Sequence, residues 1–101
     1  MEVHIGNKEL VKLYETGKSR KLKLPQNVID KFFACIQKID AATDIYDFWN
    51  DKALNFKHLQ GENIYSMRLT IQFRLEMTIE WSNNSCTIGI VNITEISKHY
   101  E

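Results

Sequence analysis

Residues 65–81 read YSMRLTIQFRLEMTIEW, and apolar and polar side chains alternate along the whole run without a slip. Tyr65, Met67, Leu69, Ile71, Phe73, Leu75, Met77, Ile79 and Trp81 fall on one side, and Ser66, Arg68, Thr70, Gln72, Arg74, Glu76, Thr78 and Glu80 on the other. A period of two over this length specifies β-structure with one covered face and one open face. A single straight strand would span roughly 55 Å at about 3.3 Å per residue. A chain of 101 residues folds to a radius of gyration of only about 13 Å. The run must therefore bend sharply or fold back, and folding back without exchanging faces requires an odd number of loop residues. A fold-back centred on Ile71 sets Arg68 opposite Arg74, Met67 opposite Leu75 and Ser66 opposite Glu76. The segment LTIQF holds no Gly, Asn or Asp, the residues a tight turn ordinarily uses. Like charges directly opposite on a sheet are unfavourable, so two facing arginines invite an anion between them. The alternative is a pair of solvated surface residues, neutralised by Glu76 or Glu80.

The segments before this run read as helices. Val3 and Ile5 suit a short first strand over 2–5. Asn7 suits the N-cap of a helix over about 8–16, with Leu10, Val11, Leu13 and Tyr14 as its apolar stripe and Gly17 as its stop. Pro25 suits the first turn of a second helix running to about Asp40. Its apolar residues Val28, Ile29, Phe32, Phe33, Cys35, Ile36 and Ile39 recur at helical spacing. TDIYDFWN (43–50) reads as a short helical turn. ALNFKHL (53–59) reads as a strand, QGEN (60–63) as a turn with Gly61 at positive φ, SNNS (82–85) as a turn, and CTIGIVNI (86–93) as the last strand. Helices followed by strands predict an α+β fold, with two N-terminal helices packed on one face of a curved, mainly antiparallel sheet. One domain over 1–101 is expected.

Thirteen basic and thirteen acidic residues give a formal net charge of zero. Any basic site is therefore a local patch rather than a global field. No apolar run is long enough to span a bilayer, and the N-terminus lacks the pattern of a secretory signal, so a cytoplasmic protein without a membrane partner is expected. Cys35 and Cys86 each sit in an apolar pattern and are read as small buried hydrophobes in a reducing compartment. His4, His58 and His99 show no metal-ligand spacing, and no metal site is expected. Nucleotide-binding glycine loops, the Walker A pattern and the G-x-S-x-G elbow are all missing, so no cofactor is expected.

Basic and hydrogen-bonding groups remain: Lys57 and His58 before the turn, Arg68 and Arg74 on the open face, His99 and Tyr100 at the end. This set suits phosphodiester cleavage. Fixed guanidinium groups stabilise charge gathering on phosphoryl oxygens, and histidine exchanges protons near neutral pH. RNA brings its own nucleophile, the 2′-hydroxyl, so neither metal nor covalent intermediate is required. Lys18, Arg20 and Lys21, in the loop GKSRKLKLP (17–25), either face solvent or touch a phosphate backbone.

LQGENIYSMRLTIQFRLEMTIEW (59–81) followed by ITEISKHYE (93–101) resembles the RelE/HigB group of bacterial toxins of type II toxin–antitoxin systems. LVKLYETGKSRKLKLPQNVIDKF (10–32) is similar to the two-helix start of the HigB branch. The resemblance implies a RelE-like fold and a metal-independent, ribosome-dependent endoribonuclease. Such an enzyme cuts mRNA in the A site of the 70S ribosome, by 2′-hydroxyl attack on the adjacent phosphate. It implies a HigA-like helix-turn-helix antitoxin as partner, with operator DNA reached only through that antitoxin. By position, Arg68 and Arg74 match the arginines that would hold the scissile phosphate, and His99 matches the histidine that would transfer a proton. Tyr100 would stack on a base or bond the phosphate, and Lys57 and His58 match basic groups of the preceding strand. Gln60 departs from the pattern, where a lysine is common, and so does the SKHY tail. A gyrase inhibitor of the same fold, as in the ParE branch, and an inactive binding member are the competing readings.

Overall fold

The computed structural model describes residues 1–98. Five strands form one sheet in the order β1-β5-β4-β3-β2. They are β1 (Glu2–Ile5), β2 (Lys57–Leu59), β3 (Ile64–Arg68), β4 (Phe73–Trp81) and β5 (Gly89–Lys98). β1 runs parallel to β5, and every other pairing is antiparallel. The helices are α1 (Lys8–Thr16), α2 (Gln26–Ala41) and the short α3 (Tyr46–Trp49). The radius of gyration is 13.1 Å, and among the described residues no helix is long and apolar enough to cross a membrane.

Local chemistry sets the helix ends. The Asn7 side-chain oxygen accepts from the Glu9 and Leu10 amides at 2.9 and 3.3 Å, satisfying donors that the first turn of α1 leaves open. Gly17 stops α1 at φ 74, its amide donating to the Leu13 carbonyl at 2.8 Å. Only glycine takes that left-handed conformation without a Cβ penalty. α2 buries Val28, Ile29, Phe32, Cys35, Ile36 and Ile39, a stripe at three- and four-residue spacing. That stripe and Leu10 and Leu13 of α1 share one core with Met67, Leu75, Met77, Val91 and Ile93 of the sheet. Burying each of these side chains contributes about 1.5–3 kcal/mol.

The long alternating run folds back as its parity requires. Arg68 pairs with Arg74, Met67 with Leu75 and Ser66 with Glu76, and Ile71 at the tip is 73% exposed. The turn needs no positive φ. The Thr70 hydroxyl instead accepts from the Phe73 amide at 3.3 Å, and the Leu69 and Thr70 amides donate to the Phe73 carbonyl at 3.0 and 3.1 Å. A threonine side chain thus replaces the usual Asn-Gly chemistry. A bulge between Glu76 and Met77 adds twist to the β4–β5 pair and curves the sheet.

Three expectations are corrected. The strand expected over 53–59 begins only at Lys57. Lys52–Leu54 form a 3₁₀ turn capped by the Asp51 side chain, and Asn55 is left-handed at φ 42. The last strand runs Gly89–Lys98 rather than 86–93. The Asn83 side chain accepts from the Thr87 and Ile88 amides and holds this stretch as a loop, while the supposed tail pairs with β4 out to Lys98. Cys86 is exposed in that loop at φ 54, not buried; Cys35 is buried as expected. Gly89 opens β5 opposite Trp81, where a Cβ would collide with the Glu80 carbonyl.

Candidate functional site

Strand register places Lys57, Ser66, Arg68, Arg74 and Glu76 on the open face, because cross-strand partners share a side of the sheet. Together with Asn55, Thr70 and Ile71 they line a cleft of about 470 Å³. Among the described residues three cations and one carboxylate line it, so the cleft favours an anion.

The two arginines are not equivalent. Arg74 is 9% exposed. Its Nε donates to Ser66 Oγ at 2.9 Å, and its Nη2 donates to the Asn55 carbonyl at 2.6 Å and the Ser66 carbonyl at 3.3 Å. These are charge-assisted bonds, stronger than neutral ones. Burial lowers the Arg74 pKa, and Arg68 beside it lowers it further, against an opposing pull from Glu76. A guanidinium stays charged at neutral pH all the same. Arg68 is exposed and forms no ion pair with any described residue. No hydrogen bond to a described residue engages its guanidinium donors. Asn55 tolerates the left-handed conformation that accompanies its bond to Arg74.

Lys57 is exposed opposite Ser66, beside Arg74. His58 borders the cleft, but its ring belongs to the other face. It is opposite Tyr65 and stacks on it at 4.3 Å, with Nε2 2.7 Å from the Glu62 carbonyl. Tyr65 in turn stacks on Phe56 at 5.5 Å. His58 thus packs the sheet edge rather than the open face. Lys18, Arg20 and Lys21 lie in the α1–α2 loop, with Lys21 3.8 Å from Glu9, and none of them lines the cleft. His99 and Tyr100 lie outside the described residues.

Glu76 is the site residue that residue type alone does not reveal. It is half-buried on the cleft wall, two residues from Arg74 and directly between Ser66 on β3 and Glu95 on β5. Its signal lies in the register, since the same parity that pairs the arginines puts Glu76 beside them. Chemically, the cleft offers cations for a phosphate and one carboxylate able to accept a proton.

Two solved structures share this architecture. A YoeB/ParE toxin from Agrobacterium tumefaciens superposes with a TM-score of 0.59 at 12% identity, over 99% of this chain and 100% of that one. A chain of the YoeB–YefM complex from Staphylococcus aureus superposes with a TM-score of 0.56 at 14% identity, over 99% and 98% of the two chains. No protein-family model and no curated protein matches the sequence. At these identities the likeness establishes the fold: the chain has the α+β fold of the YoeB/ParE toxins.

Proposed function

We propose that the protein is a toxin of a type II toxin–antitoxin system, of RelE/HigB type, acting as a ribosome-dependent mRNA endonuclease. The observation that carries this reading is the Arg68–Arg74 pair in a concave, cation-rich cleft of the open sheet face. Arg68, with free donors, binds the scissile phosphate and stabilises its developing charge. Arg74 fixes the cleft wall through Ser66 and Asn55 and adds its field. Lys57 binds the flanking phosphate. The 2′-hydroxyl gives its proton to the Glu76 carboxylate as its oxygen attacks phosphorus. The 5′-oxygen leaves with a proton from His99, giving a 2′,3′-cyclic phosphate and a 5′-hydroxyl. Tyr100 contacts the base or phosphate. No metal is needed, because RNA supplies the nucleophile.

The Staphylococcus aureus neighbour was solved with YefM, which supports an antitoxin as partner of this chain, of the HigA-like helix-turn-helix kind that carries operator DNA binding. A cytoplasmic location follows from a ribosomal target.

The test is induced expression with 5′-end mapping of cellular mRNA, wild type against Arg68→Ala and His99→Ala. Cuts inside translated regions that vanish in the variants support the nuclease. Growth arrest with intact mRNA and damaged DNA moves the protein to gyrase inhibition, and unaffected growth marks an inactive binding member.

A further inference from the structure

α2 presents a second stripe beside its buried one. Lys31, Ala34 and Lys38 recur at three- and four-residue spacing and so line up along the helix, with the buried Cys35 at their border. Lys52 of the 3₁₀ turn and Arg68 at the end of β3 close this stripe into a pocket of about 260 Å³. Lys38 is neutralised by Asp51 at 2.8 Å, and that bond holds the Asp51 carboxyl below its usual range. Lys31, Lys52 and Arg68 form no ion pair with any described residue. A chain of zero net charge thus gathers uncompensated cations around one small concavity.

Arg68 lines this pocket and the open-face cleft alike, so the two concavities meet at one residue. We propose that the Lys31–Lys52–Arg68 pocket is a second phosphate site, holding the RNA backbone next to the nucleotide in the cleft. The proposal rests on the RNA reading of that cleft. Ammonium groups bind phosphate as point charges and carry no base information. Among the described residues the pocket lining holds no aromatic ring on which a base would stack, so it reads backbone rather than sequence. An acidic peptide would meet the same charges. A polynucleotide fits better, because its charge repeats at every nucleotide and two adjoining sites take successive phosphates of one strand.

The test measures binding of a 2′-O-methyl oligouridine, which cannot be cleaved, to the full chain by fluorescence anisotropy across a salt series. Lys31→Ala/Lys52→Ala, both at exposed positions, is compared with wild type and with Lys8→Ala/Lys12→Ala on α1. The expected result is weaker binding by the pocket variant and a log–log salt slope shallower by about 0.7, the contribution of one phosphate no longer neutralised, with the α1 variant matching wild type. Three results overturn the proposal: a pocket variant identical to wild type in affinity and slope, a wild type that does not bind the oligonucleotide, and a variant that weakens binding of a polyglutamate peptide alone. The mRNA mapping reports on cleavage separately. Cuts that persist when the pocket proves silent leave the nuclease standing, and pocket-dependent binding without cuts leaves the pocket standing and removes the nuclease.

Discussion

Arg68 and Arg74 are direct cross-strand partners, yet one guanidinium is buried in a cage of protein oxygens and the other residue is exposed. Ser66 and Asn55 surround Arg74, while Arg68 lines two concavities and forms no ion pair with any described residue. The pair therefore divides into a caged cation and an exposed one, and the two should respond differently to substitution.

Arg74→Ala is expected to lower stability by about 3 kcal/mol. It strips a charged donor from the Ser66 hydroxyl and the Asn55 carbonyl and leaves a void. Arg74→Lys recovers only part of this, because an ammonium cannot reproduce the guanidinium fork. Urea denaturation reads both values, and a midpoint unchanged in Arg74→Ala would show that the cage is not structural.

Arg68→Ala should leave stability within about 0.5 kcal/mol of wild type, since it removes an exposed residue and a like-charge neighbour. If Arg68 stabilises the phosphorane charge, mRNA cleavage falls by about 10²–10³. A stable, fully active variant would take Arg68 out of the chemistry.

Glu76→Gln keeps the shape of the cleft wall but cannot accept a proton. Cleavage is expected to fall by about 10²–10⁴ in single-turnover assays. A Glu76→Gln rate equal to wild type would assign proton abstraction to another group.

The two cysteines should separate cleanly. Burial pushes the Cys35 thiol up to about 11, while Cys86 is exposed. Since the thiolate is the reactive form, alkylation at pH 8 should label Cys86 in the native protein and Cys35 only after unfolding. Cys35 also contributes a pH dependence. Its folded pKa lies above the unfolded value of 9.0, so above pH 9 the unfolded state binds fewer protons and stability falls as pH rises, by at most about 1.4 kcal/mol per pH unit up to the folded pKa. Cys35→Ala should flatten that part of the curve, and identical slopes would mean the thiol is not desolvated.

Gly89→Ala should cost about 1–3 kcal/mol, because its Cβ meets the Glu80 carbonyl across the ladder. Calorimetry checks this; an unchanged melting temperature would show that β4 and β5 separate freely at Trp81.

Much of this arrangement is written in short-range pattern. The helices follow from Asn7, Gly17 and the α2 stripe, all of which act within a turn or two of chain. The β5 boundary and the exposure of Cys86 are not legible in the same way, because CTIGIVNI alternates plausibly by itself. Asn83 decides otherwise by accepting two amides several residues away. His58 has the chemistry of a site residue, but side-chain type says nothing of facing; its pairing with Tyr65 turns it to the other side of the sheet.

The sequence alone required the alternating run to fold back through an odd loop, because only that keeps the apolar face intact; several centres satisfy this, and the turn at Thr70 and Phe73 selects the one that pairs Arg68 with Arg74. The tertiary structure decided which of the two arginines is buried. That depends on the Asn55 carbonyl, which lies 19 residues from Arg74 along the chain and reaches it only because the 3₁₀ turn folds over the end of β3. It also decided that Arg68 joins the cleft to the lysines of α2, and that β1 pairs in parallel with β5 at the far edge. No local pattern encodes these contacts, because they form between segments whose only common constraint is the shared core.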